Sequence, residues 1–142
     1  MISLGSDHGG YELKQEVIKF LEKKGLEYKD YGCYNTESCD YPDFARAAAE
    51  AVADGSCDRG IVICTTGIGV SIVANKVHGV RCALCTSLNQ AKMTRLHNDA
   101  NMLALGASTV TAEQALEIVD MFLSTEFSGE ERHVRRVGLI ED

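Results

Sequence analysis

Four short apolar runs, at 2–5, 59–64, 80–85 and 101–106, are rich in Ile, Val, Leu and Cys, and each stops where a glycine, a serine or a polar turn begins. They read as buried parallel strands. A weaker segment at 26–32, LEYKDYG, alternates polar and apolar residues as a strand at a sheet edge does. Between these runs the apolar spacing turns helical. Leu13, Val17, Phe20 and Leu21 form one stripe, Phe44, Ala47, Ala48, Ala51 and Val52 a second, and Ala112, Ala115, Leu116, Val119 and Leu123 a third. The stretch 67–77 is apolar on most sides and predicts a helix buried against the sheet; 87–97 predicts a further helix. Gly25 and Gly79 stand where helix C-caps belong.

Strand and helix therefore alternate five times, which predicts an α/β fold: a Rossmann-like three-layer sandwich around a five-stranded parallel sheet with right-handed crossovers. The 142 residues match the length of one ordinary domain, so 1–142 reads as a single domain able to bury a core without disulfide staples. In such sheets ligands gather at the carboxyl ends of the strands. The segments expected there are SDHGG at 6–10, the turn after Asp30, CTTGIG at 64–69, TSLNQ at 86–90 and GAS at 106–108.

Composition narrows the function classes. A formal net charge of -7 argues against nucleic acid or an acidic membrane as partner, either of which needs a broad basic face. An anionic substrate must then meet a local basic cluster. There is no basic segment followed by an apolar one at the start and no apolar run long enough to span a bilayer, so the expected setting is the cytoplasm. Without a secretory signal, the six cysteines read as free thiols. Cys82 and Cys85 form a C-x-x-C inside a strand-like run, whereas a redox pair needs a helix N-terminus.

Several constellations could carry chemistry. Gly67, Ile68 and Gly69 follow a strand and precede a helix, where backbone amides and the helix dipole favour an anion; tight packing would also explain the glycines. The third glycine of a dinucleotide loop and the Gly-Lys-Ser/Thr of a Walker loop are missing. Cys64 sits at the carboxyl end of the central strand beside that helix, a place that favours a thiolate base or nucleophile, although a buried structural cysteine fits the position too. Asp7 and His8 pair an acid with a base at the first strand end, and Asp7 could equally cap the next helix. His97 ends a helix with Asn98 and Asp99 to orient it, or simply caps it.

ERHVRR at 131–136 is the one dense basic cluster. Arg132 and Arg136 are four apart and share a helical face, as a two-pronged phosphate clamp requires, or they are solvated surface charges. His133 and Arg135 fall on other faces and are weaker candidates. The four histidines lack metal-ligand spacing and no G-x-S-x-G elbow exists, so neither a metal site nor a serine hydrolase is expected.

Taken together, GSDHGG, DYPDFA, ICTTGIGVSIVANKVHGVR, HNDANMLALG and RHVRRV resemble, in order and spacing, the type B ribose-5-phosphate isomerases, over nearly the whole chain. That family also includes galactose-6-phosphate isomerase subunits and enzymes of allose 6-phosphate. The resemblance implies metal-free, cofactor-free aldose-ketose isomerisation through an enediolate, in a homodimer or dimer of dimers whose sites lie between subunits. It also implies that 128–142 is a helix or tail at the interface. By the same resemblance Cys64 is the base that moves a proton between C1 and C2. A branch of the family uses a glutamate instead, at the position that is Val70 here.

Thr66, with the amides of Gly67, Ile68, Gly69, Val70 and Ser71, corresponds to the hole that holds the enediolate oxygen. His97 corresponds to the group that opens the furanose, with Asp7 near the ring oxygen and Asn98 near the enediolate. His8, Arg132 and Arg136 correspond to phosphate contacts, and Tyr41 to a tyrosine lining the sugar pocket. The expected substrate pair is ribose 5-phosphate and ribulose 5-phosphate. A hexose phosphate, such as allose 6-phosphate or galactose 6-phosphate, and a non-catalytic sugar-phosphate-binding module are the alternatives. Three departures bear on that choice: Thr65 where relatives often have glycine, GEER where they often have GGR, and Ser108 where they usually carry a phosphate-binding arginine.

Overall fold

The computed structural model describes residues 1–141. Strands β1 (Ile2–Ser6), β2 (Tyr28–Asp30), β3 (Arg59–Cys64), β4 (Cys82–Leu84) and β5 (Met102–Gly106) form one all-parallel sheet in the order β2-β1-β3-β5-β4. Six helices connect and follow them: α1 (Tyr11–Lys23), α2 (Tyr41–Ala53), α3 (Ile68–Asn75), α4 (Leu88–Asn98), α5 (Ala112–Ser124) and α6 (Glu131–Ile140). The expected three-layer α/β fold is the one formed.

Alternation along the central strands sends side chains to two separate cores. Ile61, Ile63, Leu103 and Leu105 meet Leu13 and Val17 of α1 and Ile118, Val119 and Phe122 of α5 on one face. Val62, Cys64, Met102 and Ala104 meet the alanines of α2 and Val70 and Ala74 of α3 on the other. Each large aliphatic side chain buried this way contributes about 1.5–3 kcal/mol. The small α2 face lets that helix lie close to the sheet: a Cβ on Gly5 would come within 2.6 Å of the Phe44 carbonyl oxygen.

Three expectations need correction. The run 80–85 yields only a three-residue strand, half-buried at the sheet edge, because β5 takes the inner place beside β3. Helix α3 is not buried on most sides; Ile68 and Ile72 stand 52% and 55% exposed while Val70, Ser71 and Ala74 face the sheet. Gly25 does follow α1 with φ +71°, as a C-terminal glycine should, but Gly79 lies in the turn beyond the Lys76 cap rather than at it. The described residues contain no helix long and apolar enough to cross a membrane.

Candidate active site

The strand order reverses direction between β1 and β3, and the crevice above that point is where an open α/β sheet takes its ligand. Asp7 leaves β1 there and Cys64 ends β3 there, with Ser6 in register with Ile63. They line a cavity of about 420 Å³ together with Tyr41, Thr65, Thr66 and Gly69; Ile68 and Ile72 complete its wall. Asp7 is 7% exposed, and its Oδ1 accepts a hydrogen bond from the Gly10 amide at 3.0 Å, so it does steady the start of α1 while facing the cavity. His8 is exposed, and its Nδ1 accepts from the Cys39 amide at 3.3 Å.

The turn from β3 into α3 builds an amide nest. Gly67, with φ +78°, caps α3 and donates its amide to the Cys64 Sγ at 3.1 Å. A deprotonated sulfur accepts such a bond more strongly than a thiol does. Thr66 Oγ1 accepts from the Ile68 amide at 3.2 Å, and Ser71 Oγ donates to the Ile68 carbonyl at 2.7 Å. The amides of Gly69 and Val70 find no acceptor among the described residues, as expected in the first turn of a helix. Only glycine fits at two of these positions. A Cβ on Gly69 would stand 2.6 Å from the Tyr41 ring, and one on Gly67 would stand 2.5 Å from Leu84.

The remaining candidates are elsewhere. Helix α4 runs back from the carboxyl edge, so His97 and Asn98 reach the opposite, amino edge, where the Asn98 carbonyl accepts from Arg81 Nε at 3.1 Å just ahead of β4. Helix α6 packs there. His133 stacks on His97 with ring centroids 4.3 Å apart and planes 15° apart. Arg132 pairs with Glu130, while Arg136 is exposed with no ion-pair partner among the described residues. The length of β5 separates the two clusters, on the order of 15 Å. A recess of about 600 Å³ lined by Arg81, Thr94, Asn98 and Glu141 adjoins the second cluster. Asn98 and Asp99 do not orient His97 as the sequence suggested. Arg81 holds the Asn98 carbonyl, and Arg95 Nη1 holds the Asp99 carboxylate at 2.8 Å.

A profile of the family described as Ribose/Galactose Isomerase matches residues 2–140. The chain belongs to the ribose/galactose isomerase family. It is 44% identical to the ribose-5-phosphate isomerase B of Escherichia coli, over 98% of this chain and 93% of that one. The structure of ribose-5-phosphate isomerase B from Clostridium thermocellum superposes with a TM-score of 0.97 at 57% identity, covering 99% of this chain and 94% of that one. The enzyme from Mycoplasma genitalium with bound ribulose-5-phosphate superposes at 0.94 with 42% identity, covering 99% and 93%.

Within this family framework the departures take physical form. Ser108, exposed, is tied back to the loop after β3: its amide and its Oγ both donate to the Thr65 carbonyl, at 2.8 and 2.7 Å. Thr65 is accommodated because its backbone stays out of the left-handed region and its Oγ1 lies over Gly9, 2.2 Å from where a Cβ there would be. Sequence reasoning missed Ile72 as a cavity wall; its spacing of four from Ile68 on one helix was the available signal. It also sent His133 to another face, whereas that ring is buried against His97. Cys82 and Cys85 lie outside the cavity, and burial pushes both thiols up, Cys85 to about 11, which suits inert structural cysteines.

Proposed function

We propose that the protein interconverts ribose 5-phosphate and ribulose 5-phosphate in the cytoplasm, as a step of the pentose phosphate pathway. The observation that carries this reading is the convergence of Cys64, Asp7 and Thr66 on one cavity that is also lined by Gly69, whose amide has no acceptor among the described residues. An isomerase that moves hydrogen between two adjacent carbons needs a base placed between them and donors aimed at the oxygen that gains charge. In the open-chain aldose Cys64 thiolate takes the proton from C2. The aldehyde oxygen becomes the enediolate oxygen, held by Thr66 and the nest, each donor contributing about 3 kcal/mol to the barrier reduction. The thiol then returns the proton to C1, and the hydroxyl proton passes from O2 to O1 to leave the ketose.

His97, with Asn98, supplies ring opening, and Arg132 and Arg136 with His8 hold the phosphate. Because these groups lie at opposite edges of the sheet, the complete site combines the Cys64 half of one copy with the His97 half of a second, in a homodimer or a dimer of dimers. The test compares turnover of ribose 5-phosphate and allose 6-phosphate by purified protein and by Cys64→Ala. Pentose turnover that disappears in the variant, with phosphate binding retained, is the expected result. A variant that keeps most of its turnover refutes Cys64 as base. Turnover confined to the hexose changes the substrate and keeps the chemistry.

A further inference from the structure

We propose that His133 is a positioning residue for His97, its buried ring fixing the plane in which His97 presents its nitrogens to the sugar. This rests on the reading of His97 as the ring-opening group. His97 is exposed in the last turn of α4, and no described residue hydrogen-bonds its ring. What restrains it is the face of His133, 4.3 Å away and within 15° of parallel. His133 is itself fixed, 6% exposed on α6, with Nε2 buried and without a hydrogen-bond partner among the described residues. With Nε2 unbonded, the ring contributes chiefly shape and stacking.

The surroundings keep that ring neutral. Burial and the Arg132 guanidinium push His133 below its usual range, His97 and Arg136 act in the same sense, and the Glu130 carboxylate, 4.0 Å from Nε2, opposes them only in part. Ring opening breaks the bond from C1 to the ring oxygen, adds a proton to that oxygen and removes one from the C1 hydroxyl, so it depends on where the imidazole nitrogens point.

The test uses two substrates that differ in need. Ribose 5-phosphate is a furanose and must be opened; ribulose 5-phosphate, whose terminal oxygen carries the phosphate, is acyclic and does not. His133→Ala is expected to lower kcat on ribose 5-phosphate about tenfold, and His133→Phe to restore it to within about twofold because a flat ring remains. Both variants are expected to exchange the C1 hydrogen of ribulose 5-phosphate with D2O at the rate of the unaltered protein. The His97 ring protons should shift in the NMR spectrum of His133→Ala and return in His133→Phe. Equal losses on both substrates indicate a merely structural role and overturn the proposal, as does a His133→Phe variant no faster than His133→Ala. Should His133→Ala fail to fold, the Phe variant still decides: slowed opening refutes it. If His97→Ala slows opening while His133→Ala does not, positioning falls and the His97 reading stands; if His97→Ala has no effect, both fall.

Discussion

At Gly69 the chain has no room for a side chain because the Tyr41 ring already occupies the place, 2.6 Å from an added Cβ. Tyr41 begins α2, is 39% exposed and lines the cavity. Gly69→Ala should therefore displace that ring without unfolding the sheet. The expected outcome is a tenfold or larger fall in kcat/KM, in keeping with roughly 1 Å of misplacement in a positioned site. The thermal midpoint should drop by only a few degrees, roughly what 1 kcal/mol produces in a chain of this size. Steady-state kinetics beside calorimetry would check both; a large stability loss with intact kinetics in the folded fraction would show that the glycine serves packing alone. The sequence offered two explanations for these glycines, anion binding and packing; the Tyr41 ring accounts for the packing one at Gly69, and the anion one belongs to the proposed mechanism.

Among the elements, what could be read from the sequence and what could not divide along a physical line. Strands β1, β3 and β5 announced themselves because they are buried on both faces and so apolar at most positions, the exceptions being Ser3, Ser6 and Arg59. The run that forms β4 was equally apolar and read as longer and more buried than it is, since its apolar letters reflect contact with α3 and β5 at the sheet edge rather than a central place. Helix α4 reads weakly because its buried residues include Arg95, a charge that no apolar stripe reveals. Arg95 is 2% exposed, and its guanidinium donates to the Thr125 and Ala100 carbonyls, at 2.9 and 2.7 Å, besides holding Asp99. It thereby fixes the turn after α4, where Asp99 adopts φ +46°, and with it the end of the helix that carries His97 and Asn98. Arg95→Met leaves both carbonyls and the carboxylate without that donor and should cost about 3–5 kcal/mol, measurable by urea unfolding. Arg95→Lys should recover only part, since an ammonium lacks the fork that reaches three acceptors.

Across the whole molecule, the topology sets the candidate residues in two groups at opposite edges of the sheet, a separation that strand and helix periodicity did not reveal and that the family resemblance alone anticipated by implying sites between subunits. A parallel sheet sets the ends of its strands and the ends of its helices at opposite edges, so Cys64 and His97 cannot meet in one copy, however close their motifs lie along the chain. The exposed Ile68 and Ile72 on α3 and Leu139 and Ile140 on α6 are apolar surface flanking the two halves, as a contact between copies would require. On the proposed shared site, Cys64→Ala and His97→Ala are each inactive on ribose 5-phosphate but damage different halves. In a mixed dimer one site collects both lesions and the other collects neither. Dissociating and reassociating the two variants in equal amounts should then restore about a quarter of the unaltered activity, because half of the dimers are mixed and each has one intact site of two. No recovery after verified subunit exchange would mean that each copy completes its own site, and the two halves would have to meet by a rearrangement within the chain.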